Sequence, residues 1–201
     1  LYSNIERRMN LKQLSLTLKI RLICDFFQNM IVTAFLPFMA LYLTDMVNQH
    51  FSGLFLFALV MINFPISIIS GHIIERLPKK TLTLSYQLIL SLMLVVMAIT
   101  ISEQAYMIIL FCIAYAIFSI TIGMQQPIMD TIIMDAITPE VEQYIYKISY
   151  WLTNIAVALG ALIGGLMYGA HKSMLFFIAF VIYIMVFIAL IVWLPKDLNI
   201  V

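Results

Sequence analysis

Six long apolar runs dominate the chain, at residues 22–43, 51–74, 81–101, 105–136, 144–168 and 174–194, with short polar or charged stretches between them. Each is long enough for a helix to cross a bilayer, which takes about 20 mostly apolar residues. Inside the runs the few polar positions recur at helical spacing. Asp25, Gln28, Asn29 and Thr33 share one face of the first run, and Tyr115, Ser119, Gly123, Gln126 and Asp130 form a continuous stripe along the fourth. A membrane β-barrel would show shorter, alternating segments instead. The pattern predicts an all-α, polytopic membrane protein with six transmembrane helices.

Finer features modulate these runs. Pro37 lies near the outer end of the first, and Pro65 sits in the middle of the second beside Asn63, where it leaves the Met61 carbonyl without its usual donor. The fourth run would measure about 48 Å as a helix, against a hydrocarbon core of about 30 Å, so it protrudes, tilts or bends, and Pro127 offers a place to bend. Asp135, five residues beyond Asp130, points about 140° away from it, so the two acids serve different surfaces. Asp25 is four residues from Arg21 and either pairs with it at the interface or lines a cavity. In the fifth run Lys147, Tyr150 and Asn154 make a polar face with Trp151 beside it, while Gly160, Gly164 and Gly165 mark close helix packing. The third and sixth runs are apolar enough to read as scaffold, the third as lipid-facing. Ahead of the first run, Leu11, Leu14 and Leu18 at helical spacing suit an interfacial segment.

Composition agrees with the runs. Hydrophobic residues make up 64% and charged residues 10% of the chain, and a water-facing surface needs more charge, roughly 25% in ordinary domains. Of the 11 Lys and Arg residues, only Lys172 falls on one side of the six spans; the rest gather on the other. By the positive-inside rule both termini are cytoplasmic. Cys24 and Cys112 lie inside spans and read as small apolar fillers. His50, His72 and His171 are scattered, so no metal site is indicated, and no Gly-rich phosphate loop or G-x-S-x-G elbow is present. Nothing points to an enzyme, a cofactor or nucleic acid.

Between the second and third runs the chain reads G-H-I-I-E-R-L-P-K-K, from Gly71 to Lys80. This resembles the G-x-x-x-(D/E)-R-x-G-(R/K)-(R/K) loop of the major facilitator superfamily of secondary transporters, with Gly71, Glu75, Arg76, Lys79 and Lys80 fitting and Pro78 in place of a glycine. Gly160-Ala161-Leu162-Ile163-Gly164-Gly165 is similar to that family's G-P-x-x-G-G, with Ala161 for proline. The stretches I-M-D-A-I-T-P-E and S-Y-W-L-T-N resemble the fourth-to-fifth helix region of the bacterial multidrug proton antiporters, although Ser149 stands where some relatives carry a carboxylate and the arginine often found in their fourth span is missing.

The resemblance implies two inverted three-helix units, together the N-terminal half of a twelve-helix fold in the cell membrane, with the C-terminal half of the same transporter as expected partner. It also implies alternating access with a small-molecule substrate and protons, the leading expectation being proton-coupled export of drug-like compounds. Another solute (sugar, amino acid, siderophore) and a six-helix protein without transport activity are the alternatives. A carboxylate in a poorly hydrated cavity can take up and release a proton at modest pH, which makes Asp130 and then Asp25 the proton-coupling candidates. Gly71, Glu75, Arg76, Lys79 and Lys80 with Asp135 are the candidate cytoplasmic gating cluster. Gln28, Asn29, Asn63, Gln126, Tyr150, Trp151 and Asn154 are the candidate substrate contacts.

Overall fold

Proline shapes the first span. In the computed structural model, which describes residues 15–74, 76–101, 104–137, 139–169 and 171–193, helix α1 (Leu16–Phe35) starts from a Ser15 cap whose hydroxyl accepts the Leu18 N–H at 3.3 Å. Pro37 cannot donate a backbone hydrogen bond, and the chain tightens into a 3-10 turn, Leu36–Phe38, before resuming as α2 (Met39–Met46). The two together form a first span from Leu16 to Met46. The others are α3 (Gln49–Ile74), α4 (Lys79–Thr100), α5 (Ala105–Ala136), α6 (Pro139–Met167) and α7 (Lys172–Trp193). Each is long and apolar enough to cross a membrane. α3 and α5 run on through Pro65 and Pro127 as continuous helices. Residues 1–14, where the interfacial segment was expected, lie outside the described residues.

Helix pairing brings out an internal symmetry. α1 packs on α6 and α3 on α5; α4 packs on both α5 and α7, and α7 also on α1. Exchanging the first span with the fourth, the second with the fifth and the third with the sixth maps these pairings onto themselves. The six helices are therefore two three-helix units that interlock, each helix finding its main partner in the other unit.

Between helices in lipid, close backbone approach and van der Waals contact replace the hydrophobic drive. The α1–α6 seam uses it fully. A methyl group on Gly160 would collide with the Met30 carbonyl, and one on Gly164 with the Ala34 carbonyl and the Phe38 ring. Gly165 is looser, since a Cβ there would meet only Phe38, at 3.8 Å. The centre is aromatic: Phe35 lies 5.4 Å from Phe118 and 5.2 Å from Phe176, with Tyr42, Phe111 and Tyr183 fully buried around them.

The third span is not the lipid-facing scaffold that its apolar sequence suggests. α4 is the most buried of the six, and Thr83, Gln87 and Ser91 on it have no exposed surface. Its partners on two sides, α5 and α7, leave it little lipid to face. α3 and α6 are the least buried spans.

Candidate functional site

One face of α1 carries Arg21, Asp25, Gln28, Asn29 and Val32, spaced by threes and fours. That face, with Ile122, Gln125, Gln126 and Met129 of α5 and Tyr183 of α7, encloses a cavity of about 140 Å³. Gln125 and Gln126, adjacent on α5, both line it.

Arg21 sets the electrostatics. Its side chain is only 3% exposed, it pairs with Asp25 one turn on, and its Nε donates to the Met129 carbonyl at 3.5 Å. Of the two readings of Asp25, the pairing with Arg21 is present and Asp25 also lines the cavity, while the guanidinium is buried and not in headgroup water. A charge taken out of water needs partners. Asp130 of α5 supplies a second one through space, and Gln126 Nε2 in turn donates to Asp130 Oδ1 at 3.4 Å. One cation is thus paired with Asp25 and lies in the field of Asp130, an exposed carboxylate outside the cavity lining, and the three groups together carry one surplus negative charge when all are ionised.

Above this triad is a hub of amides. Gln28 Nε2 and Gln125 Nε2 both donate to Gln87 Oε1, at 2.7 and 2.8 Å, and Gln87 Nε2 donates to the Tyr183 carbonyl at 3.1 Å. Asn29 Nδ2 donates to the Asp25 carbonyl at 2.9 Å. Four helices from both units meet at this point. Gln87 and Gln125 were not among the residues expected from sequence, and neither was Arg21.

The other candidates are dispersed. Asn63 of α3 donates to Ser119 Oγ at 2.8 Å and closes over Gly123, so it ties α3 to α5 along the polar stripe and does not line the cavity. Ser70 Oγ extends that tie to the Met124 carbonyl at 2.9 Å. On α6, Tyr150 and Trp151 are 69% and 68% exposed, and Asn154 is spent on the Tyr150 carbonyl at 2.7 Å. None of these three reaches the cavity. At the basic end of the bundle Asp135 pairs with Lys79, and Lys80 Nζ reaches the Ile191 carbonyl at 3.4 Å. Among the described residues Arg76 makes no ion pair; Glu75 lies outside the described residues, and a side chain at Gly71 would meet open space.

The opposite end has its own cluster. Lys172 pairs with Asp45 at 2.6 Å and lies 4.8 Å from the Tyr168 ring centroid and 5.4 Å from that of Tyr42. Tyr168 donates its hydroxyl to the same carboxylate at 2.8 Å. Desolvation first, and the Asp45 carboxylate second, push the Tyr168 phenol up to about 12, so it remains a donor at physiological pH.

A comparison with known proteins decides the family, since residues 20–199 match the sequence model of the Major Facilitator Superfamily. The chain belongs to that superfamily. It is also 21% identical over 164 residues to a protein of Planococcus maritimus named as a Na(+), Li(+), K(+)/H(+) antiporter. That alignment takes in 82% of this chain and 39% of the relative, so the chain spans well under half of the relative's length. The interlocked three-helix units and the glycine seam are thus features of a major facilitator protein, as the sequence motifs implied. The charge triad and glutamine hub are what this member places at the meeting point of those units.

Proposed function

We propose that this chain is the N-terminal six-helix half of a secondary transporter that exchanges protons for a cationic solute by alternating access. It sits in the cell membrane with both termini cytoplasmic, as the gathering of Lys and Arg on one side favours. The alignment with only part of a longer antiporter, and the lightly buried faces of α3 and α6, support a second half as partner.

The triad of Arg21, Asp25 and Asp130 carries this reading. Its single surplus negative charge can be neutralised by one proton or one monovalent cation, and the two compete. A proton on Asp130 leaves Arg21 wholly to Asp25 and displaces a cation from it. A cation at Asp25 releases Arg21 toward Asp130 and makes protonation there harder. Competition of this kind is what couples opposed fluxes in an exchanger. The antiporter name of the Planococcus relative supports a small inorganic cation as cargo. A drug-like cation is the second reading, favoured by the exposed aromatic face of Tyr150 and Trp151. The present cavity of about 140 Å³ is smaller than the roughly 300–1,000 Å³ of drug-sized pockets, so such a cargo would require walls from the second half. At the basic end, Lys79–Asp135 is a half-exposed pair suited to a breakable tie between access states, since such pairs contribute about 0.2–1 kcal/mol.

The test is proton release from inside-out membrane vesicles containing the full-length protein, followed by a pH-sensitive dye on addition of cation. Asp130→Asn is expected to abolish the cation-driven proton signal while the protein remains in the membrane. A signal of wild-type size from that variant would refute the triad as the coupling site.

A further inference from the structure

Amide side chains have two faces, one that donates and one that accepts, and only their partners decide which way they point. Here two backbone carbonyls make that decision for the whole cavity. A carbonyl only accepts, so the Tyr183 carbonyl requires the NH₂ of Gln87, at 3.1 Å. That turns Gln87 Oε1 toward Gln28 and Gln125, and both must answer with their NH₂ groups, at 2.7 and 2.8 Å. Their own Oε1 atoms then take no hydrogen bond from any described residue. The Asp25 carbonyl does the same to Asn29, holding its NH₂ at 2.9 Å and leaving its Oδ1 without a hydrogen bond from any described residue. All three residues line the cavity. Tyr183 lines it too, with no exposed surface and a hydroxyl that has no hydrogen-bond partner among the described residues.

We propose that this arrangement is a binding subsite for a largely dehydrated monovalent metal cation, with the oxygens of Gln28, Asn29, Gln125 and Tyr183 beside the Asp25 carboxylate as its ligands and Gln87 as the positioning residue. The inference rests on the cation-exchange reading above and adds to it a site and a class of ion. Hard cations of this kind take oxygen ligands, carbonyl and carboxylate included. An unpaired buried hydroxyl is costly, and a cation would use its lone pairs. The surplus charge of the triad is a single negative one, which matches a monovalent ion and leaves a divalent one uncompensated. Space agrees, for about 140 Å³ holds an ion and a few waters at about 30 Å³ each.

Gln87 touches no ion in this scheme. Removing it frees Gln28 and Gln125 to rotate and present NH₂ groups to the cavity, which would repel the cation.

The experiment measures binding of radiolabelled sodium ion to the full-length protein in detergent, together with the protons released on binding. Gln87→Met is expected to weaken sodium binding about tenfold, the cost of misorienting a buried amide, and Tyr183→Phe about threefold. Thermal unfolding of each variant checks that it folds; if Gln87→Met does not, Tyr183→Phe with Gln125→Leu decides. Undiminished sodium affinity in folded variants, with proton release intact, overturns the subsite and leaves cation exchange standing. Absence of sodium-driven proton release from the wild-type protein overturns the exchange reading and the subsite with it.

Discussion

Gly164 and Gly165 are neighbours on α6, yet the α1–α6 seam predicts opposite outcomes when each becomes alanine. A Cβ on Gly164 would lie 2.6 Å from Phe38 Cε2 and 2.8 Å from the Ala34 carbonyl carbon, and closer still to its oxygen. Carbon contacts settle near 3.5–4.0 Å, so the helices would have to part by about 1 Å. The Phe38 ring can turn aside; the Ala34 backbone cannot. Overpacking of this kind costs about 1–3 kcal/mol, offset by the gain of up to about 1 kcal/mol when alanine replaces glycine within a helix. The net loss is up to about 2 kcal/mol, or a fall of up to about 8 °C in unfolding temperature for a chain of this size. A Cβ on Gly165 makes an ordinary 3.8 Å contact, so Gly165→Ala keeps the helix gain and should leave Tm unchanged or raised by up to about 4 °C. Thermal unfolding of the two variants, purified in the same detergent, gives the comparison. Equal tolerance of both substitutions would refute a backbone-to-backbone seam at Gly164.

Other predictions concern the two ends and the α3–α5 tie. Exchanging the charges of Lys79 and Asp135 (Lys79→Asp with Asp135→Lys) should restore most of the transport rate lost in either single variant; no recovery would show that the pair does not act as a unit. Lys172→Met removes one ion pair and two cation–π contacts, so stability should fall by about 1–2 kcal/mol, a drop in Tm of about 2–8 °C, and the gap to wild type should narrow in 1 M salt, where the Debye length is about 3 Å. Gly123→Ala pushes only on the far end of Asn63, at 2.7 Å from the new Cβ. A side chain can yield where a backbone cannot, so this change should lower Tm by less than Gly164→Ala does.

The span pattern was open to reading because a bilayer imposes length and apolarity on each crossing, and periodicity placed Asp25, Gln28 and Asn29 together on the cavity face of α1. Gly160 and Gly164 were legible for a similar reason, as small residues one turn apart. Gln87 was not. A single polar residue has no period, and the third apolar run, 81–101, is otherwise apolar or hydroxylic. A signal was present nonetheless: it is the only amide in that span, and a lone amide in lipid requires a partner. Gln125 was masked by Gln126, which completes the regular stripe of the fourth span; two adjacent residues point about 100° apart, so one of the pair had to face elsewhere. Arg21 sits at the edge of the first apolar run, where position alone suggests headgroup water, and only the packing of α5 across it places it inside. Tyr150, Trp151 and Asn154 were grouped by spacing, which fixes a shared face and leaves open what that face meets.

The glutamine hub also bears on how the protein is made. Spans enter the membrane in the order of synthesis, and domains assemble from the N-terminal side first. Arg21 and Asp25 have each other at once, being one turn apart on the same helix. Gln87 must wait 38 residues for Gln125 and 96 for the carbonyl of Tyr183. At about 5–20 residues per second the first of these waits lasts roughly 2–8 s, during which the third span carries an amide with two of its three partners not yet made. Until the fourth span arrives that amide has only Gln28 to bond, and a nascent chain stalled there is one that insertion machinery must shield. The side chain that organises the finished cavity is, until that moment, the weakest point of the growing bundle.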